Sequence, residues 1–327
     1  MSVRKTESRI PDNFQASDLG QASVAADGQS ALISFVTTPL VVGRENVYVA
    51  FVTDATLAAS AESFEWSFVE NGGAPQVQTT EHGEVFYTPT TTGSVAVTVR
   101  VLGPSDAELA KLSLDQEIVE VNAELEALIA EAQNQPGPGV ANPDVARELI
   151  NDHNPYYQNV APQAAETGDA FQQFVFAIVF DGALQRTAAD RKKHLADLAD
   201  SLNNGGADFA TLAAKGAGVA GLHLPLLAMT LPSMLDFTEL PEPIDQRVLA
   251  DEQLRQSLAA LDEEKRIDLF NLVRFPKSNI AQSARILEAL RDRYFAGTNF
   301  NDVLTGMSGV RAQFITRQFT EGPLIRT

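Results

Sequence analysis

The sequence contains no cysteine, and that absence excludes several kinds of chemistry. Disulfide bridges, thiolate nucleophiles and cysteine-ligated zinc all need a side chain that this protein does not have. Histidine is scarce as well, and no two histidines have the spacing of a ligand pair: His82, His153, His194 and His223. We therefore predict no metal site and no bound cofactor.

Basic residues are also few. Lysine and arginine total 24 against 43 aspartates and glutamates, which gives a formal net charge of −19. Nucleic acids and anionic membrane surfaces attract positively charged proteins, so an acidic chain predicts binding to neither. The same balance favours a protein partner with a basic surface.

Long apolar runs are missing too. The longest purely apolar run is Phe174 to Phe180, whereas a helix needs about 20 apolar residues to cross a bilayer. The opening Met1-Ser2-Val3-Arg4-Lys5 leads into further polar residues, which is not the pattern of a secretory signal. The sequence predicts no membrane insertion and a chain that is cytoplasmic as synthesised, exported only within a particle.

The N-terminal third changes character near residue 31. Residues 1–30 are polar and lack periodicity, which predicts an extended arm. Beyond them, apolar side chains alternate with polar ones in three runs, whose apolar members are Val47, Val49 and Phe51, then Phe64, Trp66 and Phe68, then Val95, Val97, Val99 and Val101. Alternation of this kind indicates strands with one buried face, and Asn71-Gly72-Gly73 supplies a turn. We predict a β-sandwich over residues 31–103.

Two of these runs also resemble a known family. Phe64-Glu65-Trp66-Ser67-Phe68 resembles the aromatic-x-Trp-x-Phe strand of PKD and related bacterial immunoglobulin-like domains. The stretch from Thr92-Gly93 to Val99 is similar to the closing strands of that family. The resemblance covers residues 31–102 and implies an immunoglobulin-like sandwich that acts as a spacer or ligand-binding module without catalytic residues.

An acidic segment follows at residues 104–135. Ser105 with Glu108 has the spacing of a capping box, and five apolar residues recur at intervals of four and three: Leu114, Ile118, Val121, Leu125 and Leu128. This pattern predicts a connector helix with an interaction seam. Glu117, Glu124 and Glu131 would flank the seam, and 106–134 holds eight acidic residues against one lysine. We therefore expect the seam to meet a basic partner or the chain's own helical domain rather than a copy of itself.

Residues 140–327 are predicted to form a mainly α-helical domain. Caps and helix formers predict helices at 142–152, 187–203, 207–215, 250–262, 263–274 and 278–296. The run Phe174–Phe180 suits a buried strand or a buried helix, and the shared helical face of Phe171, Phe174, Val175 and Ile178 favours the helix.

An internal repeat is suggested near residues 194–219 and 285–310. Gly206-Ala207-Asp208-Phe209 is matched by Gly297-Thr298-Asn299-Phe300, each after a predicted helix. Asp or Asn stands where the following helix needs its N-cap. Two interpretations stay open: a duplication, or a common helical corner that occurs twice.

Two local clusters are candidates for binding. Asp152, His153, Tyr156 and Tyr157 fit a polar binding rim or an acid–base patch, and equally a helix end that runs into a turn. The string Gly216–Gly221 matches G-x-G-x-x-G, but it follows a predicted helix rather than the strand that a dinucleotide site requires. A packed corner is therefore favoured there, and we predict no catalytic residue.

One resemblance points to an enzyme. One part of the sequence resembles the opening of parvulin-type prolyl isomerases. It consists of Phe174-Val175-Phe176, a charged helix and then Gly206-Ala207-Asp208-Phe209. The resemblance implies a strand at 174–176 and further strands beyond it.

Taken together, the sequence predicts a multi-domain α+β protein: an immunoglobulin-like β-sandwich followed by a mainly α-helical domain. Our hypothesis is a non-enzymatic structural or interaction protein, as a component or cargo of a phage-tail-like contractile injection particle. Two alternatives stay open, an effector with a hydrolytic site hidden in the helical domain and a parvulin-like isomerase or chaperone.

Overall fold

A computed structural model describes residues 9–36, 39–134, 147, 169–184, 186–231, 256–305 and 309–320. The chain divides into two compact units. The first comprises Met1–His153 with Phe275–Lys277, and the second comprises Asn154–Arg274 with Ser278–Thr327. Strands dominate the described part of the first unit and helices that of the second. The predicted α+β class is therefore confirmed.

The first unit contains two β-sheets. The four-stranded sheet is antiparallel, in the order β1 (Gln21–Val24), β2 (Ser30–Ser34), β4 (Asn46–Val52) and β7 (Glu84–Tyr87). The five-stranded sheet has the order β3 (Leu40–Val41), β9 (Glu108–Val119), β8 (Gly93–Leu102), β5 (Ser63–Glu70) and β6 (Gln76–Thr80). Its one parallel pair is β3 with β9. Within residues 9–134, the described α-helices are α1 (Ala16–Leu19), α2 (Ala55–Ser60) and α3 (Ala123–Asn134).

Inward side chains of both sheets form one hydrophobic core. Trp66 on β5 is fully buried, and its indole Nε1 donates a hydrogen bond to Thr80 Oγ1 at 2.9 Å. The ring of Phe68 stacks on that of Tyr87 with 4.2 Å between centroids. The alternating runs lie on strands β4, β5 and β8, and the turn at Asn71-Gly72 joins β5 to β6. The prediction of one buried face is wrong for β4, which is buried on both faces. Its members of this core are Tyr48, Ala50 and Val52 rather than Val47, Val49 and Phe51.

Two predictions for this unit are wrong. The proposed arm is structured from residue 16 onward, because α1 and β1 lie within it and β1 pairs with β2. The proposed connector helix is strand β9 over Glu108–Val119, and α3 begins only at Ala123. Ser105 adopts a left-handed φ of 58° and caps no helix. The second sheet therefore extends beyond the predicted boundary at residue 103.

From residue 169 onward the described elements are helices. Their bounds are α4 (Asp169–Leu184), α5 (Ala188–Asn203), α6 (Phe209–Ala213), α7 (Leu224–Thr230), α8 (Glu263–Arg274), α9 (Pro276–Tyr294), α10 (Phe300–Thr305) and α11 (Val310–Thr320). The helices predicted at 187–203, 263–274 and 278–296 are confirmed as α5, α8 and α9. The one predicted at 142–152 lies outside the described residues except for Arg147. Within the described residues, no helix combines the length and apolarity needed to span a bilayer.

Local caps explain where these helices begin. Thr187 and Asp190 form a reciprocal capping box at the start of α5, and Asp262 Oδ1 accepts the backbone N–H of Lys265 at 2.8 Å at the start of α8. Such caps satisfy backbone N–H groups that have no partner inside the helix.

The parvulin resemblance fails at its first strand. Residues 174–176 lie within helix α4, where that family has a strand. In the described part of the chain after residue 169, the β pairing present is an isolated bridge between Ala217 and Leu222.

The two suggested repeats share a local geometry. Gly206 and Gly297 have φ angles of 76° and 75°, and Gly218 and Gly309 have 71° and 83°. In each copy the phenylalanine that opens the short helix is fully buried, Phe209 in α6 and Phe300 in α10. Duplication and a recurring helical corner both fit this likeness.

Candidate interaction surface

Negative charge is concentrated in the first unit. Residues 9–134 contain eighteen aspartates and glutamates against four lysines and arginines, a net charge of −14 out of −19. Like charges gathered on one compact unit destabilise it by mutual repulsion unless basic groups neutralise them. The positions of the basic residues therefore decide which carboxylates stay available to a partner.

Three of the four basic residues are already paired with carboxylates. Arg100 contacts Glu65 and Glu108, both at 2.7 Å, across the outer face of the five-stranded sheet. Arg9 contacts Asp12 at 2.9 Å.

The third paired basic residue is Arg44, which lies in a cluster around Glu126 on α3. Glu126 accepts hydrogen bonds from Arg147, with a closest approach of 2.6 Å, and lies 3.9 Å from Arg44. The hydrogen bonds from Arg147 lower the pKa of Glu126. This carboxylate is therefore neutralised within the unit.

A second set of carboxylates has no basic neighbour within salt-bridge distance among the described residues. Asp115 and Glu117 point outward from β9, Glu120 follows the strand, and Glu124 and Glu131 lie on α3; all five are exposed. None of them forms a salt bridge with another described residue. We call residues 115–131 the acidic segment.

Two exposed apolar side chains lie within the acidic segment. Leu128 on α3 is 62% exposed and Val121, just before α3, is 39% exposed. Large apolar side chains surrounded by charge often mark a protein-binding surface. The segment therefore offers both apolar area and un-neutralised charge.

The predicted seam does not exist as one helical stripe. Leu114 and Ile118 lie on β9 and belong to the core of the first unit, and Leu125 is also buried. Only Val121 and Leu128 of the five face solvent. The prediction of a helical seam was wrong because residues four apart in sequence also lie on the same face of a strand.

Asp152, His153, Tyr156 and Tyr157, the other predicted cluster, lie outside the described residues.

The glycine string is a tight corner held by the protein itself. Ala217 and Leu222 exchange backbone hydrogen bonds at 2.7 and 2.8 Å. Asn279 Oδ1 accepts the backbone N–H of Ala220 at 2.8 Å, and a Cβ on Gly218 would lie 2.2 Å from Asn279 Nδ2. The string follows helix α6 rather than a strand. Its geometry fits the predicted packed corner.

Two histidines bind backbone carbonyls near this corner. His194 Nε2 lies 3.0 Å from the Leu212 oxygen, and His223 Nδ1 lies 3.0 Å from the Ala214 oxygen. Burial, reinforced by the positive charge of Arg186, lowers the pKa of both imidazoles. Both imidazoles tie chain segments together, and His223 does so at both nitrogens, since its Nε2 lies 3.1 Å from the Thr320 oxygen. In the part of the chain that the structure describes, no three His, Asp or Glu residues are grouped to hold a metal ion.

No protein-family model and no curated protein sequence matches this chain.

Proposed function

We propose that the two sheets of the first unit form an immunoglobulin-like sandwich that ends with β9. Three observations support this topology. Side chains of both sheets share one core, Trp66 is buried on the inner strand β5, and β3 runs parallel to β9 at one edge. A buried tryptophan between two packed sheets is typical of immunoglobulin-like domains.

The function proposed for the chain is a non-enzymatic structural or interaction protein that docks onto a basic partner through the acidic segment. The observation that carries the proposal is a set of five exposed carboxylates that form no salt bridge with any described residue, in the same segment as the exposed Leu128. In this proposal the chain is a component or cargo of a large, phage-tail-like contractile injection particle. It is made in the cytoplasm and leaves the cell only within that particle.

Electrostatics explains why a basic partner would bind here. Lysines and arginines of a partner would offset repulsion among the exposed carboxylates of the acidic segment. Long-range attraction raises the association rate and falls as salt screens it. Burial of Leu128 and Val121 would add affinity that salt does not weaken. Binding should therefore decrease with salt without vanishing.

The alternative functions gain no support from the described residues. A parvulin-like isomerase needs the strand that α4 replaces. A hydrolytic effector would rest on Asp152 and His153, which the structure does not describe.

Two matched double variants test the proposal. Glu124→Gln/Glu131→Gln removes two charges from the acidic segment, and Glu62→Gln/Glu81→Gln removes two exposed charges elsewhere in the first unit. The tagged full-length chain is purified from its native cells and sized at low and at physiological salt. We expect wild type and the control to elute within a large assembly. The Glu124/Glu131 variant should elute mainly as free protein.

Two results would contradict the proposal. If wild type elutes as free protein at both salt concentrations, the chain is no assembly component. If both double variants lose the assembly equally, total charge rather than the acidic segment governs binding.

A further inference from the structure

Strand β6 forms one edge of the five-stranded sheet, and the proposed function does not use it. An edge strand presents backbone N–H and C=O groups that can pair with another strand, and natural proteins protect such edges by shortness, charge, proline or bulges. Three of the four edge strands here follow this rule in part. β3 has two residues, β7 includes Glu84, and β1 has four residues.

Within the described part of the chain, strand β6 lacks these protections. Its five residues, Gln76–Thr80, contain no charge and no proline, and they pair with β5 in unbroken register. Val77 and Thr79 lie on the outer side of the sheet, and Val77 is 56% exposed. A regular, neutral edge rich in β-branched residues is a good template for strand pairing.

The strand is also complementary to itself. In an antiparallel pair centred on Gln78, Val77 of each copy lies opposite Thr79 of the other. Such β-branched pairs stabilise a sheet. Glu81 of each copy would lie beside Pro75 of the other and not beside the other Glu81. Glu65 on β5 would be separated from its counterpart by about 14 Å, three strand spacings, which exceeds the Debye length of about 8 Å at physiological salt. Two strongly acidic chains can therefore meet along this edge.

We propose that β6 pairs antiparallel with β6 of a second copy of this chain, so that the two five-stranded sheets join across a two-fold axis at Gln78. A closed two-fold contact of this kind is the commonest symmetry of homo-oligomers. Five residues bury less area than a standard interface, so the dimer is weak. It forms reversibly as concentration rises toward about 1 mM.

Sedimentation equilibrium of the full chain tests this pairing. At physiological salt, the mass should rise from 35.2 kDa toward twice that value with concentration. Val77→Lys should keep the chain at 35.2 kDa, because a lysine on an edge strand blocks pairing. The matched control is Val24→Lys on edge strand β1, where Val24 is 54% exposed, and it should associate like wild type. Both lysines reduce the net negative charge, so loss of association in one variant alone cannot come from overall repulsion.

A cysteine cross-link gives a second, independent measurement. The protein has no cysteine, so Gln78→Cys places one thiol beside the proposed axis, within the separation that a disulfide allows. Oxidation should yield a covalent dimer from Gln78→Cys and much less from Val24→Cys. Native Trp66 emission confirms that each variant is folded. A wild type that stays monomeric at all concentrations would overturn the proposal, as would association lost equally in Val24→Lys and Val77→Lys.

Discussion

Glu70 shows how one residue can fix a loop of the first unit. It ends β5 and accepts five hydrogen bonds from three residues: the hydroxyl of Tyr87, and the backbone N–H and hydroxyl groups of Thr90 and Thr91. Burial raises the pKa of the carboxyl, but these hydrogen bonds outweigh it and lower the pKa from 4.5 to about 2. The neighbouring Asn71 accepts the N–H of Ser94 at 2.9 Å and completes the anchor.

The lowered pKa makes this anchor sensitive to acid. Because the folded state holds Glu70 ionised, its contribution is complete above pH 4.5 and is lost as the pH falls toward 2. At pH 7, Glu70→Gln should reduce the free energy of unfolding by about 1–3 kcal/mol. The difference from wild type should shrink below pH 4.5. Urea titrations followed by Trp66 fluorescence measure both. The exposed Glu81→Gln is the control, and an equal loss in that variant would contradict the role of the loop.

Gln116 explains why a strand escaped the sequence analysis. Its side chain is buried, where Tyr48 donates a hydrogen bond to Oε1 at 2.5 Å and Nε2 donates to Gln21 Oε1 at 2.9 Å. A polar residue at an inward position breaks the apolar alternation, and only partners distant in sequence make it acceptable there.

At the scale of elements, local signals predicted what local interactions determine. Helices α5 and α8 begin at caps that lie within four residues of them, so their bounds could be predicted closely. Strands β5 and β8 alternate without interruption and could be predicted as well. Strand β1, Gln-Ala-Ser-Val, has only two alternating apolar residues, too few to predict a strand, and pairing with β2 determines it. In the acidic segment, charge could be predicted from sequence, but its division between β9 and α3 could not.

β9 also changes the boundary of the smallest stable fragment. It pairs with β8 along ten residues and supplies Leu112, Leu114 and Ile118 to the core. A fragment of residues 1–103 would expose that face of β8 and lose those side chains. A fragment of residues 1–121 retains the complete five-stranded sheet.

We therefore expect the 1–121 fragment to fold and the 1–103 fragment not to fold. Trp66 fluorescence in the longer fragment should be blue-shifted and protected from iodide, with a cooperative urea transition. In the shorter fragment it should be red-shifted and fully quenched. If both fragments show the same protected emission and cooperative transition, β9 is dispensable for the fold of this unit.

At the scale of the whole molecule, charge and helix content follow the division into two units. Residues 9–134 account for −14 of the net charge and leave −5 for the remainder. Each unit has its own buried residues, with Trp66 and Leu32 in the core of the first and Leu198 in the second. Trp66 is the single tryptophan, so fluorescence reports on the first unit. Far-ultraviolet circular dichroism at 222 nm reports mainly on the helices of the second.

Separate cores predict that a core substitution destabilises its own unit. Leu32→Ala and Leu198→Ala each truncate a fully buried leucine, which costs about 2–5 kcal/mol at such positions. In thermal unfolding, Leu32→Ala should lower the fluorescence midpoint and leave the main dichroism transition unchanged. Leu198→Ala should do the reverse, with shifts of about 2–4 °C per kcal/mol. Wild type should show two midpoints. If either substitution shifts both signals equally, the units unfold as one cooperative body and the prediction is wrong.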